Sequence, residues 1–478
     1  MWISSRVISR EVTRVGRVPA IHPTSTQTEE AIMVRLNKVL RAFTHEGAPS
    51  RQLAPLEALQ RTLMSCLLWE DQFYEDGVAI ADRIKVLVAA VEPREAARLA
   101  VSAREEMKLR HAPLLVAREM ARLPQHRALV AETLARIIQR PDEMTELLAI
   151  YWADALGPQQ QRKRQPVSAQ VKKGLAKAFA KFDAYQLAKY DREGPVRLRD
   201  VLFLVHARPK DDAQEAVWKQ LVDGELPSPD TWEVALSAGA DKRASFERLL
   251  AERRLGALAL LRNLRLMLQA GVPRDMIAEA IVSMRTDRIL PYRFITAARH
   301  APDVEPELEQ AMLRSIKGHA RLKGRTRLLI DVSGSMFAAL SAKSEMTRAD
   351  AACGLAVLAR EVCDEVEIFT FSDAVVKVPP RRGFALRDTI LRSQPHSGTY
   401  LGRAVKEVDR KGDRLIVFTD EQSHDAVPAP RARGTMVNVA SYQHGVGYGP
   451  WTRVDGFSES VIAWIAAQEQ SLRSATLH

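Results

Sequence analysis

The sequence predicts a multidomain protein, an all-α stack of short helices followed by a doubly wound α/β domain. Three observations predict it. The chain has 478 residues, too many for a single hydrophobic core. Apolar residues recur every three or four positions as far as about residue 320, the spacing of helices that bury one face. Beyond that point, short apolar runs ending near carboxylates alternate with helical stretches, the rhythm of a parallel sheet covered on both sides.

In the helical part, Leu56-Leu59-Leu63-Leu67, Val78-Ala81-Ile84-Val86 and Leu134-Ile137-Ile138 each mark an apolar face. Pro93, Pro113, Pro124, Pro141 and Pro273 stand at candidate helix starts, where a missing N–H costs least. No convincing period-two strand interrupts the series. Short amphipathic helices that cannot bury their faces alone suggest a stacked solenoid of the HEAT kind. There is no clean sequence repeat, so an irregular all-helical domain is the alternative. The expected boundaries are a basic tail over 1–35, a helical module over 36–320 and an α/β domain over 321–478.

In the α/β part, Arg325–Asp331, Val366–Phe371, Arg414–Asp420 and Thr435–Ala440 read as strands. Ala349–Val362, Tyr400–Val408 and Ser458–Ala467 read as the helices between and after them. Ligands of such sheets bind beyond the carboxyl ends of the strands, and Asp331 and Asp420 both lie at that edge.

Composition narrows the function classes. There is no run of about 18 apolar residues, so no membrane span is expected. Arg6, Arg10, Arg14 and Arg17 make the first residues basic without a secretory apolar stretch. They read as a solvated tail, with an organelle transit peptide as the alternative. Cys66, Cys353 and Cys363 form no C-x-x-C pair, which suits a reducing cytoplasm and argues against a disulfide framework or a thiolate zinc site. The net charge of +11 permits a nucleic-acid partner without requiring one. No enzyme signature stands out. Gly318 and Gly324-Arg325-Thr326 only mimic a phosphate loop, with the wrong spacing and Arg in place of Lys. There is no nucleophile elbow and no H-E-x-x-H pair.

Asp331-Val332-Ser333-Gly334-Ser335 ends one strand and turns three oxygen side chains toward one locus. Thr399, in Ser397-Gly398-Thr399, and Asp420, closing a second strand, can converge on it. Two carboxylates and three hydroxyls without His or Cys define a hard-oxygen site suited to Mg²⁺ or Mn²⁺, with Ca²⁺ also admissible. An open coordination position there would accept an acidic group from a partner. This constellation resembles the metal-ion-dependent adhesion site of the von Willebrand factor A family over about 150 residues.

A basic run precedes it. Arg162, Lys163, Arg164, Lys172, Lys173, Lys177 and Lys181 occur with no acid among them, and Lys173, Lys177 and Lys181 lie four apart on one helix face. Such a stripe can neutralise phosphates, although charge runs are usually solvated surface. Ala188-Lys189-Tyr190-Asp191-Arg192-Glu193-Gly194, Leu198-Arg199-Asp200-Val201-Leu202 and His206-Ala207-Arg208-Pro209-Lys210 follow. They are similar to the signature of the TROVE module of telomerase, Ro and vault proteins. Leu260-Leu261-Arg262-Asn263-Leu264 and Leu290-Pro291-Tyr292-Arg293-Phe294 also look like motifs of that family. A TROVE module followed by an A domain is the arrangement of the Ro 60 kDa autoantigen family and its bacterial relatives, and the resemblance runs over residues 50 to 470.

The resemblance implies a ring of HEAT-like repeats closed by the A domain. A small structured Y RNA would sit on its outer basic face, and single-stranded 3′ ends of misfolded RNA would enter its central hole. The Y-RNA positions of the family fall on Lys189 and His206, with Arg192, Arg208 and Lys210 beside them. A further basic position of the family falls on Glu193, a departure. The expected protein is therefore a non-catalytic, monomeric RNA-binding protein of RNA quality control. An exoribonuclease or an acidic protein is a candidate partner at the metal site. A metal-dependent protein-interaction scaffold is the alternative, and a metal-dependent nuclease a distant third.

Overall fold

The computed structural model describes residues 42–50, 53–64, 77–153 and 166–469, less 229, 233, 235–238, 240, 288, 290, 318–320, 341–344, 432, 441, 443, 444, 448, 457–460, 463, 464, 467 and 468. The expected basic tail over 1–35, together with Cys66, Leu67, Arg162, Lys163, Arg164 and Gly318, lies outside them.

The described chain opens with a short antiparallel pair, β1 (Ala42–Phe43) and β2 (Pro49–Ser50). Helices then follow one another: α1 (Pro55–Met64), α2 (Gly77–Ala90), α3 (Pro93–Glu105), α4 (His111–Arg122), α5 (Arg127–Ile137) and α6 (Asp142–Ala153). After them come α7 (Ala169–Phe179), α8 (Ala184–Tyr190), α9 (Leu198–Val205) and α10 (Asp212–Asp223). The helical series closes with α11 (Lys242–Ala251), α12 (Ala257–Gln269), α13 (Arg274–Ser283), α14 (Pro291–His300) and α15 (Glu305–Ile316). Among the described residues, no helix is long and apolar enough to cross a membrane.

Local chemistry sets these boundaries. Pro93 opens α3 behind Glu92, whose carboxylate accepts from the N–H groups of Arg94 and Glu95, as an N-cap should. Asp183 and Gln186 form a reciprocal capping box at the start of α8. The left-handed His206 (φ 51°) ends α9. Apolar faces mostly follow the expected periods, since Leu59, Leu63, Leu134, Ile137 and Ile138 are buried. The face of α2 is different. Val78 and Val86 are exposed, while Ile80, Ala81, Ile84 and Val88 form the buried stripe. The helix is apolar nearly all round, so spacing alone could not pick the packed side.

The α/β region contains β3 (Leu322–Asp331), α16 (Arg348–Val362), β4 (Cys363–Phe371), β5 (Val375–Val378), α17 (Gly383–Leu391), α18 (Leu401–Val408), β6 (Arg414–Thr419), β7 (Arg433–Asn438) and β8 (Thr452–Asp455). The six strands run in the order β5-β4-β3-β6-β7-β8. Every neighbouring pair is parallel except β4 with the edge strand β5. The order turns back at β3 and β6, the switch point where such sheets bind ligands. The four expected strands are present. β5, β8 and α17 are short additions whose patterns gave no signal, and the expected helix Ser458–Ala467 falls largely outside the described residues.

Alternation along the strands sorts the core into layers. Leu328, Ile330, Ile416, Phe418 and Val437 face a core that includes α16 and continues into residues 246 to 316 of the helical series. Leu329, Leu415, Val417 and Met436 face the opposite side with α18, and Ala48 of the amino-terminal hairpin joins them. The earlier helices, from Leu59 to Leu221, share a core of their own. The last helices thus pack into the sheet's core instead of forming a separate one. Gly354 of α16 permits this, because an added Cβ would stand 3.1 Å from the Cβ of Tyr292 on α14.

Candidate metal site and nucleic-acid interface

Asp331, Ser333, Ser335 and Asp420 lie at the carboxyl edge of β3 and β6, and the 397–399 loop is drawn to that edge. Beyond Asp331, the N–H of Val332 donates to the carbonyl of Phe371 (3.0 Å) and turns the chain across the end of β4. The N–H of Ser333 donates to Asp331 Oδ1 (2.9 Å), and the Ser333 and Ser335 hydroxyls lie 3.5 Å apart. The N–H of Gly334 donates to the carbonyl of Ser397 (3.2 Å), which draws in the loop carrying the buried Thr399. Thr419, at the end of β6, donates its hydroxyl to Asp331 Oδ2 (2.6 Å) and so sets Asp420 beside it.

Asp331 and Asp420 are both fully buried. Burial, and then the neighbouring Asp420 carboxylate, push the Asp331 carboxyl up to about 7. Two carboxylates forced together away from water favour a cation between them. The donors are all hard oxygens, so the residues fit Mg²⁺, Mn²⁺ or Ca²⁺. Among the described residues no three His, Cys, Asp or Glu side chains cluster as metal ligands, and such a site would depend on its hydroxyls.

The spacing of the motif did not reveal two arginines at this edge. Arg348, the first residue of α16, directs Nη1 to Asp420 Oδ2 (3.3 Å), with both side chains buried. Arg61, on α1, is buried beside the next residue, Glu421 (3.0 Å). The whole loop after β6 is held this way. The N–H of His45 donates to Gln422 Oε1 (2.7 Å), the Thr44 hydroxyl donates to the carbonyl of Ser423 (2.8 Å), and Glu46 pairs with His424 (3.1 Å). The amino-terminal end of the described chain is therefore fastened to the loop that presents Asp420.

The basic residues divide into two groups. Lys172, Lys173, Lys189, Arg192, His206 and Arg208 are exposed or half-buried on α7, α8 and the turns around α9, with no carboxylate partner shown. Lys189 lies over the Tyr190 ring (5.9 Å). The rest of the expected set is engaged. Lys177 pairs with Glu132 of α5 (2.8 Å), and Lys210 approaches Asp211 (3.9 Å). Lys181 donates to the carbonyls of Ala135 and Ile138 at the end of α5, so its ammonium caps a helix although the residue stays exposed like Lys173. Glu193 is exposed and reaches Arg197 (3.5 Å), a negative group inside the basic stretch.

Several cavities among the described residues have charged linings. One of about 700 Å³ between α3, α5 and β8 presents Glu105, Glu106, Glu132 and Asp455 against Arg98, Arg136 and Arg453. A smaller one, about 310 Å³, is lined by Arg262, Arg265, Arg293 and His300 with Glu345. Arg262 and Arg293 belong to the two later motifs, Leu260–Leu264 and Leu290–Phe294.

The family model for the TROVE domain matches residues 41–223 and 222–351. Among solved structures, the fold is similar to the crystal structure of Deinococcus radiodurans RO (RSR) protein. The TM-score is 0.55 at 20% sequence identity, over 85% of this chain and 97% of that one. No curated protein matches the chain.

Proposed function

The chain belongs to the TROVE domain family, and on that premise we propose that it is a non-catalytic RNA-binding protein of RNA quality control. Its ligands in this reading are a small structured, Y-like RNA and the single-stranded ends of misfolded or decaying RNA. The observation that carries it is the group Lys172, Lys173, Lys189, Arg192, His206 and Arg208, solvent-facing cations and an imidazole with no acidic partner shown. Unneutralised Lys and Arg take up phosphates and release counterions, which gives salt-sensitive binding with little base preference. Glu193 stands where the family resemblance places a basic residue, and its carboxylate weakens the Y-like part of the reading. The 700 Å³ cavity is lined by more carboxylates than guanidiniums, so we assign phosphate contacts to the helical surface.

We read the α/β region as a von Willebrand A-type domain whose Asp331, Ser333, Ser335, Thr399 and Asp420 hold Mg²⁺ or Mn²⁺. The mainly parallel sheet, the proximity of Asp331, Ser333, Ser335 and Asp420, and the backbone tie that draws in the Thr399 loop support this. When bound, the ion would offer an open position to an acidic group, such as one from an exoribonuclease partner. We take the protein to act as a cytoplasmic monomer.

A salt titration tests the RNA reading. Wild type, Lys172/Lys173/Arg208→Ala and His206→Ser are compared on a folded hairpin and an unstructured oligomer. The triple variant should shallow the salt dependence of log K by about two to three units, roughly one for each phosphate no longer neutralised. His206→Ser should weaken the hairpin more than the oligomer. Identical slopes and affinities would remove the RNA interface and leave the metal-dependent scaffold as the better reading. That reading is favoured by Ser335, a half-exposed hydroxyl at the rim of the metal locus. For the site itself, Asp331→Ala should abolish any rise in melting temperature with Mn²⁺. An undiminished rise would remove Asp331 from the ligand set.

A further inference from the structure

We propose that Arg348 is a resident counter-cation of the metal site, competing with the divalent ion for Asp420 and holding its affinity down. The inference rests on the metal-site reading and adds a residue which that reading does not contain.

Arg348 is placed with unusual firmness for a surface-type residue. It follows Thr347, which caps α16: Asp350 N–H donates to the Thr347 hydroxyl (3.1 Å), and Thr347 N–H donates to Asp350 Oδ2 (2.9 Å). Arg299 of α14 grips the same Asp350 carboxylate (2.8 Å). The N–H of Arg348 donates to the carbonyl of Ala338 (3.1 Å), which ties the helix start to the turn just after Ser335. From this position the guanidinium enters the sheet edge and meets Asp420 Oδ2 at 3.3 Å, with side-chain exposures of 1% and 0%.

Asp420 Oδ1 accepts from the Gln422 N–H (3.2 Å), and both oxygens of Asp331 accept from Ser333 and Thr419. Among the described residues, the locus thus brings the buried carboxylates of Asp331 and Asp420 together with the buried guanidinium of Arg348. An ion bound to Asp420 must displace Arg348 from Oδ2 or share the carboxylate with it. Either costs affinity, because a dication and a guanidinium repel strongly where water cannot screen them. The same guanidinium lets the sheet edge fold with no ion bound, since it already compensates half of the site's negative charge.

Mn²⁺ binding to the full chain decides this, measured by calorimetry for wild type, Arg348→Gln and Arg348→Lys. Gln keeps a hydrogen-bond donor without the charge, so Arg348→Gln should bind Mn²⁺ about tenfold or more tighter than wild type. Arg348→Lys, which keeps the charge, should stay within about threefold of wild type. Equal or weaker binding by Arg348→Gln would overturn the proposal and leave Arg348 a structural tie. If Arg348→Gln folds only in Mn²⁺, the comparison becomes a folding titration followed by near-ultraviolet circular dichroism. A midpoint below the wild-type Kd supports the competition, and failure to fold at Mn²⁺ that saturates wild type refutes it. Absence of Mn²⁺ binding in all three proteins would overturn the metal site together with the role of Arg348. Binding by wild type and Arg348→Gln with equal affinity would overturn only the latter.

Discussion

Arg61→Met tests whether the amino-terminal fastening depends on one buried ion pair. Arg61 is wholly buried, with Nε on the carbonyl of Tyr442 (2.6 Å), Nη1 3.0 Å from Glu421 Oε2 and 4.0 Å from Asp455 Oδ1. Methionine keeps a long apolar stem but is shorter and uncharged, leaving Glu421 with the Gly447 N–H (2.9 Å). Glu421 is also left-handed (φ 61°), a conformation that surrounding contacts must sustain. Removing one partner of a buried pair costs about 3–5 kcal/mol. That cost falls on the contact between α1 and the loop after β6, so it should appear as local opening before global unfolding. Amide hydrogen exchange in Pro55–Met64 should accelerate by about two to four decades, at roughly 1.4 kcal/mol per decade. The Arg61→Met/Glu421→Met double variant should be less destabilised than the sum of the two single variants, because no charge remains stranded. Exchange in Arg61→Met within tenfold of wild type would refute the reasoning.

Three further outcomes follow from packing and charge. Lys181→Met removes the donor to the Ala135 and Ile138 carbonyls. It should lower stability by about 1 kcal/mol in denaturant titration while leaving RNA affinity within twofold, and a large affinity loss would return Lys181 to the interface. Gly174→Ala places a Cβ 2.8 Å from Leu134 Cβ and 3.0 Å from the Ala131 carbonyl, so overpacking should cost about 1–3 kcal/mol; a stabilised variant would contradict the close crossing of α5 and α7. Burial holds the His126 imidazole below its usual range, so the folded protein keeps it neutral while the unfolded chain protonates first. Its contribution is therefore present above about pH 6.5 and fades as pH falls below that value. In urea titrations from pH 7.5 to 5, His126→Gln should flatten part of that loss, and an unchanged slope would exclude His126 as a source.

The sequence by itself determined the order of the chain's parts and which oxygen-bearing residues stand at the carboxyl edge of the sheet. Period-three-and-four apolar spacing marks helices because one face of each must leave water, and buried parallel strands read as apolar runs ending at the ligand edge. Asp331, Ser333 and Ser335 lie on one short turn, so their convergence is local and visible in the motif. Tertiary structure alone decided which side of an all-round apolar helix packs, as at Val78 and Val86. It also decided which lysines remain available. Lys173, Lys177 and Lys181 share a spacing, but only contacts with α5 direct Lys177 to Glu132 and Lys181 to helix-end carbonyls. Arg61 and Arg348 are the clearest cases. Each reads as an ordinary charged helix residue, and each is buried because its counter-charge arrives from far away in sequence, Glu421 after 360 positions and Asp420 after 72. An isolated guanidinium belongs in water, and only a carboxylate delivered by the fold makes its burial tolerable.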